Sequence, residues 1–196
     1  MKNIKVVALS CGVLIFTLIF GIPRISANSV AKPKPETIQA TAQGTDVQLG
    51  KQFNITLIIE KYSTPADRQM LKQAFQEDKN QGLYKELSKM KAVGHISINS
   101  ALGYDVSYIR TIPNPSGRTI RFITTRPISM REQYNDSLST AYNLTAGQIE
   151  INDSDKSKST GVLYPRAMLT LDKDNEIQFD LATDPYSLAD ILDRRD

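Results

Sequence analysis

Between residues 53 and 60, Phe53, Ile55, Leu57 and Ile59 alternate with Asn54, Thr56 and Glu60, and Ile58 is the one exception. Period two over eight residues predicts a strand with one buried face. The period then changes. Thr64 is placed to cap a helix, Pro65 suits its first turn, and Asp67 suits the positive end of the helix dipole. Met70, Leu71, Ala74 and Phe75 recur at helical spacing, residues 78–82 interrupt it, and Leu83, Tyr84, Leu87 and Met90 resume it. A broken helix or a helical hairpin is therefore expected over 65–91. From Val93 the chain reads as strands again. Ile96 and Ile98 alternate, and Tyr104, Val106 and Tyr108 are expected on one face. Asn114-Pro115-Ser116-Gly117 has the residues of a type I turn, with Ile120 and Phe122 on the returning strand. Residues 144–151, 161–171 and 176–181 are three more strand candidates, with a tight turn at 172–175 between the last two. Leu188, Ile191 and Leu192 have helical spacing, so residues 185–195 are expected to form a short closing helix capped by Asp184. A strand, a helix and then a run of strands joined by short turns define an α+β fold. The expectation is an antiparallel, curved or barrel-like sheet of about six to seven strands with one helical segment packed on it.

Upstream of this pattern the chain is different. Lys2 and Lys5 precede an uncharged apolar run over 6–22, and Pro23, Arg24 and small residues up to Ala27 and Ala31 follow. That is the layout of a secretory signal peptide over 1–27, with an uncleaved N-terminal anchor as the alternative. Cys11 lies in mid-run, too early for a lipid-attachment cysteine. Residues 28–50 have neither period and are rich in Ala, Thr, Gln and Lys-Pro, so a flexible tether is expected there. The expected layout is signal or anchor, tether, and one α+β domain over 51–196, exported to the periplasm or secreted.

Composition narrows the chemistry. One Cys and one His, His95, are too few for a Cys/His zinc site or a disulfide scaffold. No serine stands in a nucleophile elbow beside that histidine, and no catalytic residue is assigned. The sequence has no glycine-rich phosphate loop and no dinucleotide fingerprint, so no cofactor is expected. The formal charge of +3 comes from the first segment: without Lys2, Lys5 and Arg24 the 24 bases become 21, equal to the 21 acids. Nothing therefore points to nucleic acid, and a membrane is implicated only through the N-terminal run. Residues 152–155 and 172–176 are rich in Asp and Asn but lack the spacing of a calcium loop, and turns explain them. No metal ligand is assigned. Four Asn-x-Ser/Thr triplets, beginning at Asn54, Asn135, Asn143 and Asn152, fit the glycosylation pattern, a common one.

Charge is segregated along the chain. Residues 106–131 contain Arg110, Arg118, Arg121, Arg126 and Arg131 and no acid, whereas residues 132–196 hold 13 acids and 6 bases. Arginine forks bind carboxylates and phosphates in bidentate fashion and stack on rings, and Tyr104, Tyr108 and Tyr134 are near in sequence. Two readings follow. The arginines, with Tyr104 and Tyr108, form a site for an anionic small molecule, glycan or protein, or they pair with the acidic C-terminal strands across the sheet. Glu60, Asp105, Glu132, Glu150 and Asp180 supply a third possibility, a carboxylate-based hydrolase acting on envelope or extracellular glycans.

The stretches Gly103-Tyr104-Asp105-Val106-Ser107-Tyr108, Gly117-Arg118-Thr119-Ile120-Arg121, Thr125-Arg126-Pro127-Ile128 and Gly161-Val162-Leu163-Tyr164 resemble a set of exported bacterial proteins of unknown function. The resemblance covers about 53–192 and implies export and a bacterial source; it transfers no site residue. The sequence thus favours a non-enzymatic exported domain that binds a ligand or partner. A carboxylate hydrolase and a structural envelope protein without ligand are the alternatives.

Overall fold

The structure, a computed structural model, describes residues 34–46, 49–126, 144–171, 177–181 and 184–195, all within one compact unit, Pro33–Asp196. In chain order the elements are β1 (Glu36–Gly44), β2 (Gln52–Ile59), α1 (Pro65–Leu87), β3 (Gly94–Ile98), β4 (Tyr104–Asn114), β5 (Gly117–Thr124), β6 (Leu144–Asn152), a 3₁₀ turn (Lys156–Lys158), β7 (Thr160–Leu171), β8 (Ile177–Leu181) and β9 (Tyr186–Arg194). The expected signal or anchor and the turn at 172–175 lie outside the described residues.

All pairings are antiparallel. β1 to β7 follow one another as neighbours, β9 pairs with both β7 and β1, and the sheet closes on itself. Eight strands form the ring, in place of the expected six to seven. β8 is the ninth and lies outside it, because β7 changes partner along its length: residues 161–163 pair with β9 and residues 167–171 with β8. Closure removes the exposed edges that an open sheet of this size would present.

Two corrections account for the larger ring. Residues 36–44, expected within the tether, are β1, and residues 186–194, expected as a closing helix, are β9. These two strands pair with each other and form the seam that closes the barrel. In β1 the inward positions are Ile38, Ala40 and Ala42, and two alanines make a weak hydrophobic alternation. In β9 a bulge shifts the register between Gln39 and Thr41 of its partner, and Asp190 takes a positive φ of 51°. The inward residues therefore step from Leu188 to Ile191, three apart, which imitates a helix.

Each of the eight ring strands contributes to one buried cluster, including Ile38, Phe53, Ile55, Leu57, Ile96, Ile109, Phe122, Ile149, Leu163 and Tyr186. Side chains fill the core of an eight-stranded barrel of this width. The Phe122 ring lies so close to its register partner Gly147 on the neighbouring strand that a Cβ there would stand 2.2 Å from the ring. The expected common face for Tyr104, Val106 and Tyr108 does not form. A bulge between Val106 and Tyr108 keeps Val106 in the barrel and turns Tyr108 outward.

Outside the barrel, Tyr108, Ile123, Leu144 and Leu169 make a second apolar cluster with Leu71, Leu83 and Leu87 of α1. The expected helix break falls at Asp78 and Lys79, where the backbone leaves helical geometry. Just after it, the Asn80 side chain accepts a hydrogen bond from Leu169 N at 2.8 Å, tying the second half of the helix to β7. Thr64 and Asp67 form the anticipated cap: Asp67 N donates to Thr64 Oγ1 at 3.2 Å, and Thr64 N donates to Asp67 Oδ2 at 2.7 Å.

Candidate functional site

Strand alternation divides the arginine-rich hairpin of β4 and β5. Ile120 and Phe122 face into the barrel, so Arg118 shares their direction and Arg121 faces out. β5 and β1 are four strands apart in a ring of eight, so Arg118 starts from the wall opposite β1. It spans the mouth of the barrel at the end where the described chain enters. There Arg118 Nη2 bonds to Glu36 Oε1 of β1 and, at 2.8 Å, to Asp193 Oδ2 of β9. Arg118 Nη1 donates to Tyr62 Oη at 2.7 Å, and Tyr62 donates in turn to Glu36 Oε2 at 2.6 Å. Arg195 closes the group from the rim, at 2.9 Å from Asp193 Oδ2 and 3.3 Å from Asp153 Oδ1.

The side chains of Arg118, Glu36 and Asp193 are only 13%, 12% and 10% exposed. Burial pushes the Asp193 carboxyl upward, but hydrogen bonds from Arg195 and Arg118 outweigh it and hold the group below its ordinary range. Burial also raises the Tyr62 phenol, and the neighbouring Glu36 carboxylate raises it further, so the hydroxyl keeps its proton and donates it. Burial alone would lower the Arg118 guanidinium, yet bonds from Glu36 and Asp193 raise it above its normal value. Glu36 and Asp193 escaped the sequence reading because their strands did. Read as strands, 36–44 and 186–194 place both carboxylates on the inward face. This part of the hairpin follows the second expectation, pairing of arginine with the acidic C-terminal strand.

Arg110 and Arg121 are directly opposite each other on the outside. Arg121 Nε donates to Gln148 Oε1 at 2.8 Å on β6. Arg110 lines a cleft of ≈ 210 Å³ between β4 and the start of α1, together with Tyr62, Ser63, Thr64, Pro65, Arg68, Tyr108 and Thr111. Two arginines, three hydroxyl side chains and two tyrosines thus face one space, with no acid among its lining residues. The Tyr62–Ser63 segment is held in place by β4 itself. Ser63 N donates to Ile109 O at 2.8 Å, and Ile109 N donates to Ser63 Oγ at 3.1 Å. Arg126 and Tyr104 are at the far end of the barrel, where they line another cavity. Arg131 lies outside the described residues. The six described sequence candidates therefore fall into separate places: Arg118 in the mouth, Arg110 with Tyr108 at the cleft, Arg121 beside them on the outer face, and Arg126 with Tyr104 at the far end.

Among the described residues, Glu60 and Glu150 are not brought together. Glu60 follows β2 and Glu150 is on β6, four strands away around the ring, and both are exposed. Asp105 Oδ1 is 3.5 Å from His95 Nδ1. Glu132 and the Asp180 side chain lie outside the described residues. Among the described residues no group of three or more His, Cys, Asp or Glu is arranged to hold a metal ion. In the 152–155 stretch, Asn152 Oδ1 accepts from Ser154 N and Asp155 N, and Asp155 Oδ1 accepts from Ser157 N, so these oxygens build turns. The 172–176 stretch, the Asn135 triplet and Asn143 itself lie outside the described residues. Among the described residues no helix is long and apolar enough to cross a membrane.

Comparison of the chain with protein-family models, with curated proteins and with solved structures gives no significant match.

Proposed function

We infer that this chain is a non-enzymatic binding module of an exported protein, and that it takes an anionic ligand in the cleft beside α1. One observation carries the reading. Arg68 from the helix and Arg110 from β4 line the same ≈ 210 Å³ cleft, with Tyr62 and Tyr108 as ring surfaces and Ser63 and Thr111 as hydroxyl donors. A guanidinium pair binds carboxylate or phosphate through charge-assisted hydrogen bonds, and the rings add apolar contact. The N-terminal sequence and the resemblance to exported bacterial proteins support the location.

Native mass spectrometry of the protein purified from its own source tests this. The expected result is a discrete mass excess that disappears on denaturation and is absent from an Arg110→Gln variant with the same unfolding midpoint. A clean sequence mass in the wild type overturns the small-molecule form of this reading. A mass excess that Arg110→Gln leaves in place overturns the assignment of the cleft.

A further inference from the structure

The far end of the barrel holds a cavity of ≈ 260 Å³ lined by Gly103, Tyr104, Asp105, Thr125 and Arg126. Tyr104 and Asp105 begin β4, and Thr125 and Arg126 follow the last residue of β5, whose Thr124 pairs with Val106. Asp105 and Arg126 line the same space. They do not neutralise each other: among the described residues Asp105 pairs with His95 at 3.5 Å, and no ion pair joins it to Arg126. His95 is held against the same turn, since a Cβ on Gly103 would stand 2.6 Å from its Nε2 and 2.1 Å from Ile96 O. Leu102, next to Gly103, is fully exposed at the rim.

We propose that this cavity is a second binding site, for the zwitterionic head of a free α-amino acid with an apolar side chain. Such a ligand carries an ammonium and a carboxylate on one carbon. A wall with separate negative and positive poles fits it better than it fits either ion alone. Asp105 takes the ammonium, Arg126 takes the carboxylate in its fork, and the Thr125 hydroxyl adds a hydrogen bond. Leu102 offers apolar contact to the ligand's side chain. The volume lies below the range of about 300–1,000 Å³ occupied by drug-sized ligands, which suits a molecule of one residue. Each exposed ion contact is weak by itself, so recognition depends on both being made together. The site shares no residue with the cleft beside α1 and does not depend on that reading.

Amide chemical-shift titration of the full chain tests it, with L-leucine as the probe. Saturable shifts are expected at residues 102–105, 125 and 126, with a dissociation constant on the order of 1 mM. N-acetyl-L-leucine, which lacks the positive charge, and L-leucinamide, which lacks the negative one, should each bind about fivefold more weakly. Asp105→Asn and Arg126→Gln should each weaken L-leucine by a similar factor while amides elsewhere keep their positions, and Arg110→Gln should change nothing. The absence of saturation at about ten times that concentration overturns the proposal. Equal affinity for either singly charged analogue also overturns it and leaves a simple ion contact.

Discussion

The two ends of the barrel use the same residue types to opposite effect. At the entry end, Arg118 is 13% exposed and bonded to Glu36, Asp193 and Tyr62, side chains from two other strands and a loop. At the far end, Arg126 is exposed beside Asp105, and the tips of the adjacent turns carry the exposed side chains of Leu49 and Leu102. Both arginines belong to β5 or its immediate end, eight residues apart. Alternation points one into the barrel mouth, and the end of the strand releases the other to solvent. Arginine content alone therefore says little about binding. Whether an arginine acts as a strut or is available to a ligand depends on which face of the strand it occupies and how deep it sits.

The largest effect should come from breaking the strut. Arg118→Gln leaves Glu36 and Asp193 as buried like charges near one another, with only Arg195 at the rim to compensate. Removing one partner of a buried, hydrogen-bonded ion group costs about 3–5 kcal/mol. Urea denaturation should show a loss of that size in unfolding free energy, and a loss below about 1 kcal/mol would mean that the cluster contributes no more than a surface pair does. Spectroscopic probes in β1 and β9 should report the change first, because Glu36 and Asp193 flank the seam where these strands pair.

Acid should weaken the same end. The Asp193 carboxyl is held below its ordinary range in the folded protein. An acid whose folded value is depressed contributes stability above its unfolded value, and that contribution is lost as pH falls through the folded value. The unfolded value is about 3.9, so the loss begins near pH 4 and continues below it. The slope of unfolding free energy against pH in that window should be smaller in Asp193→Asn than in the wild type. An unchanged slope would assign the acid sensitivity to other carboxylates.

How much of this was readable in advance depended on how regular each strand is. β2 was readable because Phe53, Ile55, Leu57 and Ile59 recur at every second position, with Ile58 the one break in the alternation, and all four face the core. The turn at Asn114–Gly117 was readable because its residues carry the geometry: Asn114 Oδ1 accepts from Ser116 N at 3.0 Å, and Asn114 and Gly117 are paired. The seam was not readable, for two physical reasons. Alanines at 40 and 42 give β1 a weak hydrophobic signal, and the bulge in β9 changes a period of two into a spacing of three. Everything that depends on the seam was hidden with it, including ring closure and two of the three partners of Arg118. Tyr108 shows the same limit on a smaller scale, since the bulge beside Ser107 moved it from the barrel core to the buried cluster under α1.

The smallest expected effect completes the contrast between the ends. Arg126→Gln makes the same chemical change as Arg118→Gln, in the same hairpin, at a site where the guanidinium is exposed. Surface substitutions away from caps, cores and buried networks stay within about 0.5 kcal/mol. The urea midpoint of Arg126→Gln should therefore match the wild type within that margin, with an unchanged denaturant slope. If it instead fell by as much as that of Arg118→Gln, the far end would hold its own structural ion network. Arg126 would then be a strut like Arg118, and the cavity it lines would lose the guanidinium assigned to a ligand. A stable Arg126→Gln protein with weakened L-leucine binding would separate the two roles: one arginine of the hairpin holds the barrel shut, and the other meets a ligand.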